Sequence, residues 1–214
     1  MSATGENVTT DFLVLRKTPY GESSLVIAGI TPAFGRLGFL VRGARTIGKR
    51  QFPVVDLFRV LHVQFRFGRG ELQHWRGAES VRDFGAVARD VRAFTGAVWL
   101  TRFALGNVFA GVGCPRFFDA LLLAFQRLAD AAAGRAVTPE VCRAVTIGAC
   151  LVFLDENGNL SAYDDDAAAA RRCRELLAMA AGQREVLRLE LGVWEQLWEW
   201  LLALLRYAEC TVPD

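Results

Sequence analysis

Apolar and polar positions alternate with period two through the first eighty residues, and then change to a helical period. Phe12 to Leu15, Leu25 to Ile30 and Leu37 to Val41 are short apolar runs separated by Tyr20-Gly21-Glu22 and by Thr31-Pro32-Ala33-Phe34-Gly35. Such runs with Gly and Pro between them predict a three-strand meander. Gly43 to Arg50 follows as a basic loop, and Phe52-Pro53 breaks the chain. Leu57 to Phe67 is a longer strand with Leu57, Leu61, Val63, Phe65 and Phe67 on one face. Its other face carries Phe58, Val60, His62, Gln64 and Arg66, the pattern of a strand with one side in a core and one partly wet. Gly68-Arg69-Gly70 predicts a tight turn into a fifth strand over Leu72 to Ala78. Five strands in about 70 residues fit a small closed barrel of the OB kind. A fragment of a sandwich would give the same strand list.

From Ala86 the spacing lengthens to i, i+3, i+4. Val87, Val91, Phe94, Val98, Leu105 and Phe109 predict one helix that ends before Pro115. Phe118, Leu121, Leu122, Phe125 and Leu128 mark a second, closed at Gly134. Thr138-Pro139-Glu140 is a helix start: a hydroxyl cap, proline at the first position and an acid near the positive end of the dipole. That helix is expected to run to about Val152. Asn157-Gly158 is a hairpin signal, with Phe153-Leu154 and Leu160 as a short ribbon around it. Asp164 to Asp166 cap a helix over Ala167 to Ala181, and a last helix over about Gly192 to Ala208 carries Trp194, Leu197, Trp198, Leu201 and Leu205 on one face. The expected class is α+β: residues 1–10 a polar flexible tail, 11–82 an all-β barrel, 83–214 an all-α domain.

Charge sharpens this division. The chain is nearly neutral at +2, but residues 1–82 hold 12 Lys+Arg against 6 Asp+Glu, and residues 83–214 hold 13 against 17. Two halves of opposite sign suggest two surfaces with different partners. The basic set is Arg16, Lys17, Arg36, Arg42, Arg45, Lys49 and Arg50, with Tyr20 nearby. Single-strand binding needs cations along the phosphates and aromatic faces under the bases. Arg36 and Arg42 share strand parity, so both are expected on one barrel face.

Pro-Tyr-Gly-Glu-Ser-Ser at 19–24, Thr31 with Gly35-Arg36-Leu37, and Val41-Arg42-Gly43-Ala44-Arg45 occur in the order found in the amino-terminal domain of RecO-family recombination mediators. The resemblance runs in register from about Phe12 to Val81. It implies an OB-fold followed by a helical domain, and a binding role rather than catalysis. The implied partners are single-stranded DNA, a RecR-like mediator and the acidic, apolar carboxy-terminal tail of single-strand-binding protein. The implied work is strand annealing and recombinase loading in DNA repair, with Arg42 and Arg45 at matching basic positions. The rival reading is an OB-fold protein-interaction module without significant DNA binding, in which the acidic half does the work.

RecO-type chains often carry a four-cysteine zinc site near 153–162. Here Cys114, Cys142, Cys150, Cys173 and Cys210 form no C-x-x-C pair, so no metal and no other cofactor is expected. Reduced thiols, an amino terminus without signal-peptide pattern and no long apolar run predict a cytoplasmic, nucleoid-associated protein without a membrane segment. Asp155, Asn157, Asn159 and Asp166 imitate a calcium loop, but Leu160 stands where glycine is required. His62 and His74 both fall in strands, no nucleophile elbow or phosphate loop is present, and no enzyme is expected.

Overall fold

The structure is a computed structural model that describes residues 7–44, 55–68, 70–160 and 167–214. Its first unit comprises Met1–Gly85 with Val108–Cys114, and its second Ala86–Asn107 with Pro115–Asp214. In the first unit β1 (Val8–Tyr20), β2 (Ser24–Thr31), β3 (Gly35–Val41), β4 (Arg59–Arg66) and β5 (Leu72–Asp83) close a barrel in the order β1-β2-β3-β5-β4. All neighbours are antiparallel except β3 and β5, which pair in parallel over Gly38↔Leu72 and Phe39↔Gln73. This is the five-stranded Greek-key barrel expected from the sequence.

Alternation decides what lies inside. Phe12 and Val14 of β1, Ile27 of β2, Phe39 of β3, and Leu61, Val63 and Phe65 of β4 form the barrel core. Phe39 sits centrally, edge-on to Phe12 at 5.0 Å, to Phe65 at 5.4 Å and to Trp75 at 5.3 Å between ring centroids. Offset aromatic packing of this kind adds to plain area burial. A bulge between Val14 and Arg16 reverses the parity of β1. Beyond it Arg16 pairs with outward Ala28, and Lys17 with inward Ile27. The reversal is what turns Arg16 outward.

The chain returns to the barrel after its first helix. Residues 109–111 lie antiparallel beside the start of β3: Arg36 N–H donates to the Phe109 carbonyl at 3.3 Å, and Gly111 N–H to the Phe34 carbonyl at 2.9 Å. Gly35 and Ala110 face each other between these bonds. Cys114 N–H closes the segment onto the Pro32 carbonyl at 2.9 Å.

The second unit contains α1 (Val91–Asn107), α2 (Pro115–Ala133), α3 (Pro139–Glu156), α4 (Ala167–Ala180) and α5 (Leu191–Tyr207), with a short 3-10 turn over Gly85–Arg89 leading to α1. Every residue of α3 from Ala144 to Leu154 is buried, and α1, α2, α4 and α5 all pack on it. A helix apolar on all sides belongs at a centre.

Three expectations for this unit fail. The α1 stripe does not face the core: Val91 is 76% and Phe94 41% exposed, while Ala93, Ala97, Leu100, Phe103 and Ala104 are buried. The alanine-bearing side wins because small residues let α2 and α3 approach closely. The helix also stops at Asn107, whose side-chain amide donates to the Phe103 carbonyl and to the Thr211 carbonyl, both at 2.8 Å. Phe109 therefore lies outside the helix. Nor do Phe153 and Leu154 form a ribbon: they are the buried last turns of α3, and Gly158, at φ 71°, follows the Asn157 cap. Asn157-Gly158 thus ends a helix rather than turning a hairpin.

Gly35 has φ 60°, and a Cβ there would lie 2.1 Å from the Phe109 carbonyl oxygen. Gly35→Ala should cost about 2 kcal/mol or more in urea unfolding, through left-handed strain and displacement of the docked segment. Gly77→Ala, with no atom within 4 Å of its added methyl, should stay within about 0.5 kcal/mol of the parent.

Candidate nucleic-acid interface

The outer face of β1, β2 and β3 is built by register. Arg16, Ala28 and Gly38 form one row, and Thr18, Val26 and Leu40 the next. Val26, Ala28, Gly38 and Leu40 are half-buried, so the floor is shallow, small and apolar. Arg36 stands exposed at one end of β3 and Arg42 just past the other. Tyr20, at the end of β1 opposite Ser24, is 60% exposed. Of the eight residues singled out from the sequence, Arg16, Tyr20, Arg36 and Arg42 share this side of the barrel. Arg45, Lys49 and Arg50 lie outside the described residues.

Lys17 does not join them. The bulge that turns Arg16 outward turns Lys17 to the opposite side, where its Nζ reaches Asp56 Oδ1 at 2.6 Å. Partial burial raises the Asp56 carboxyl, but the Lys17 hydrogen bond, the Leu57 N–H and the nearby Lys17 and Arg59 charges outweigh it and hold the carboxyl below its usual value. Among the described residues no carboxylate pairs with Arg16, Arg42 or Arg76, whereas Arg59, Arg116 and Arg172 each hold one.

Strand β5 adds residues that the sequence reading passed over. Past Phe39↔Gln73 the ladder between β3 and β5 ends, and a groove of about 510 Å³ opens between them. Leu40 and Arg42 line one wall, and Leu72, His74, Trp75 and Arg76 the other. Leu72, His74 and Arg76 are exposed, and Trp75 packs against the core. The alternation Leu72-Gln73-His74-Trp75-Arg76 was the available signal: it places every second residue outward.

The helical unit has a groove of its own, about 390 Å³, lined by Val91, Arg92, Gly96, Trp99, Arg143 and Trp198. Trp99 meets Trp198 edge-on at 5.1 Å, and the Arg143 guanidinium lies 4.4 Å from the Trp198 ring centre. Burial, more than the nearby Asp90, pushes the Cys142 thiol in this groove up from its ordinary value.

Among the described residues no cluster of His, Cys, Asp and Glu could hold a metal ion, and the five cysteines are free thiols. Asp155 is engaged by Arg116, while Glu156 accepts from the Arg116 and Phe117 N–H groups, each at 2.8 Å, at the start of α2. The calcium-like spacing thus begins at a helix end where Asp155 is already engaged, and its last member, Asp166, lies outside the described residues. His62 Nδ1 lies 2.9 Å from Asp11 Oδ1 on the exposed side of the barrel. No described helix is long and apolar enough to cross a membrane.

Residues 1–84 match the family model for the recombination protein O amino-terminal domain. A DNA repair protein RecO of Gloeobacter violaceus is 32% identical over 115 residues, 54% of this chain and 44% of the relative. Those of Geobacter metallireducens and Anaeromyxobacter dehalogenans are 27% and 31% identical, over 58% and 64% of this chain and 50% and 53% of the relatives. The chain thus aligns with about half the length of the relatives it matches.

The Lys17–Asp56 pair carries a pH signature. A carboxyl whose folded value lies below its unfolded one, about 3.9, stabilises the fold above that pH and loses the contribution as pH falls through the folded value. Asp56→Asn should therefore cost up to about 1 kcal/mol at pH 7 for a pair this exposed. The gap to the parent in urea midpoint should close below about pH 4.

Proposed function

We propose that this chain, whose residues 1–84 match the RecO amino-terminal family model, is a recombination mediator in DNA repair that binds single-stranded DNA on the outer face of β1, β2, β3 and β5. The observation that carries this reading is co-facial placement: Arg16, Arg36, Arg42 and Arg76 surround a floor of Val26, Ala28, Gly38 and Leu40. Cations at such spacing neutralise phosphates, and a flat apolar floor accepts base faces without reading their edges. Binding is therefore weakly sequence-dependent. The face also corresponds to the side of OB barrels that commonly takes oligonucleotides.

The mechanism is binding alone. Strands held with their phosphates neutralised can pair or be passed to a recombinase, in concert with a RecR-like partner. The acidic, apolar tail of single-strand-binding protein fits the helical groove: its apolar residues would lie on Trp99 and Trp198, and its carboxylates beside Arg92 and Arg143. No nucleotide hydrolysis belongs to this role.

Fluorescence anisotropy of a labelled oligothymidylate across a salt series tests the first part. Binding should weaken steeply with salt, and replacing Arg16, Arg36 and Arg42 together by alanine should flatten the log–log slope by about 2, at about 0.7 per contact. Absent or salt-insensitive binding would move the function to protein interaction alone.

Calorimetric titration with an acidic, aromatic-ended peptide tests the helical groove. Arg143→Glu should weaken that binding at least tenfold and leave oligonucleotide binding unchanged. An unaltered peptide affinity would remove the tail from this groove.

A further inference from the structure

We propose that Phe109, carried by the segment between α1 and α2, is a base-stacking residue of the nucleic-acid face. The inference rests on the DNA-binding reading of the barrel and extends it to a residue outside the five strands.

Helical spacing would bury Phe109 in the stripe of α1. The chain instead leaves α1 at Asn107 and lays 109–111 against β3. The Arg36 N–H to Phe109 carbonyl bond and the Gly111 N–H to Phe34 carbonyl bond flank the facing pair Gly35 and Ala110. In that register Phe109 stands directly opposite Arg36. Residues directly opposite in an antiparallel pair project to the same side, about 5 Å apart at Cβ. Arg36 is exposed, and Phe109 opposite it is 69% exposed as a residue.

A single exposed aromatic is ordinary on a protein surface. What singles this one out is its alignment. The same edge of β3 meets Phe109 beside Arg36, Leu72 beside Gly38, and then the groove walled by His74 and Arg76. Arg36, Gly38, Leu40 and Arg42 span about 20 Å along β3 at strand rise. Phe109 and Leu72 flank the first half of that row, and the groove walled by His74 and Arg76 flanks the second. Cations stand towards both ends, with apolar surface between, and Phe109 adds a π-face at the Arg36 end. Its backbone is fixed before any ligand arrives, because Gly35 admits the Phe109 carbonyl so closely. A platform already in place loses little entropy on binding.

The test compares oligothymidylate with an abasic strand of the same length and charge, by anisotropy. Phe109→Ala should weaken oligothymidylate binding roughly 5- to 150-fold, the range for losing one stacked base. It should leave abasic-strand affinity unchanged, and Phe109→Trp should retain binding to both. Thermal melting of Phe109→Ala should match the parent, since the ring is exposed. Equal losses on both strands would overturn the stacking role. So would parent-like binding of Phe109→Ala to oligothymidylate while the triple arginine variant fails. Failure of the parent protein to bind either strand would overturn both this inference and the DNA-binding reading, an outcome distinct from the other two.

Discussion

Closure of the barrel around Phe39 is the constraint on which the proposed binding face depends. With Phe39 edge-on to Phe12, Phe65 and Trp75, the neighbouring positions of β3 have only the outside available. Arg36, Gly38, Leu40 and Arg42 are outward because Leu37, Phe39 and Val41 are inward. A one-residue slip of β3 would bury two arginines and expose a phenylalanine, so the core fixes the register of the cations as firmly as its own packing. The same rule explains why neighbouring Arg16 and Lys17 part company. A bulge at β1 changes which of them follows the core, and the one turned aside finds Asp56.

The character of the floor follows from strand crowding. A Cβ on Gly38 would lie 3.0 Å from a Leu72 methyl, where β3 and β5 make two ladder pairs among the described residues. Small side chains at Ala28 and Gly38 keep the middle of the face low, while long ones rise at its ends. Flexible cations around a low apolar floor suit a polymer that offers regular charge and repeated flat rings.

The strands were legible because period-two alternation and Gly/Pro punctuation are local signals, and the family resemblance because its motifs at 19–24, 31–37 and 41–45 stand in sequence order. So was the shared parity of Arg36 and Arg42. The partition of Arg16 from Lys17 was not, since a bulge depends on the partner strand and leaves no mark in its own run. The buried side of α1 was misread for a related reason. Its helix is apolar on more than one side, and the larger residues Val91 and Phe94 outweighed the alanines that close packing selects. The stop at Gly106-Asn107 was present in the sequence, but Asn107 ends the helix partly by holding Thr211, more than a hundred residues away. Phe109 was assigned to the wrong element through that one missed boundary.

That boundary matters because it assigns seven residues to the barrel. Val108–Cys114 is flanked in sequence by helices, yet its hydrogen bonds run to Pro32, Phe34 and Arg36. An edge such as the start of β3 exposes unpaired backbone donors and acceptors, and a segment laid along it satisfies them. Once laid there, the segment places Ala110 opposite Gly35 and Phe109 opposite Arg36. An exposed aromatic opposite an exposed cation is thus a consequence of covering the edge: the backbone pairing that closes β3 is the same pairing that holds Phe109 there.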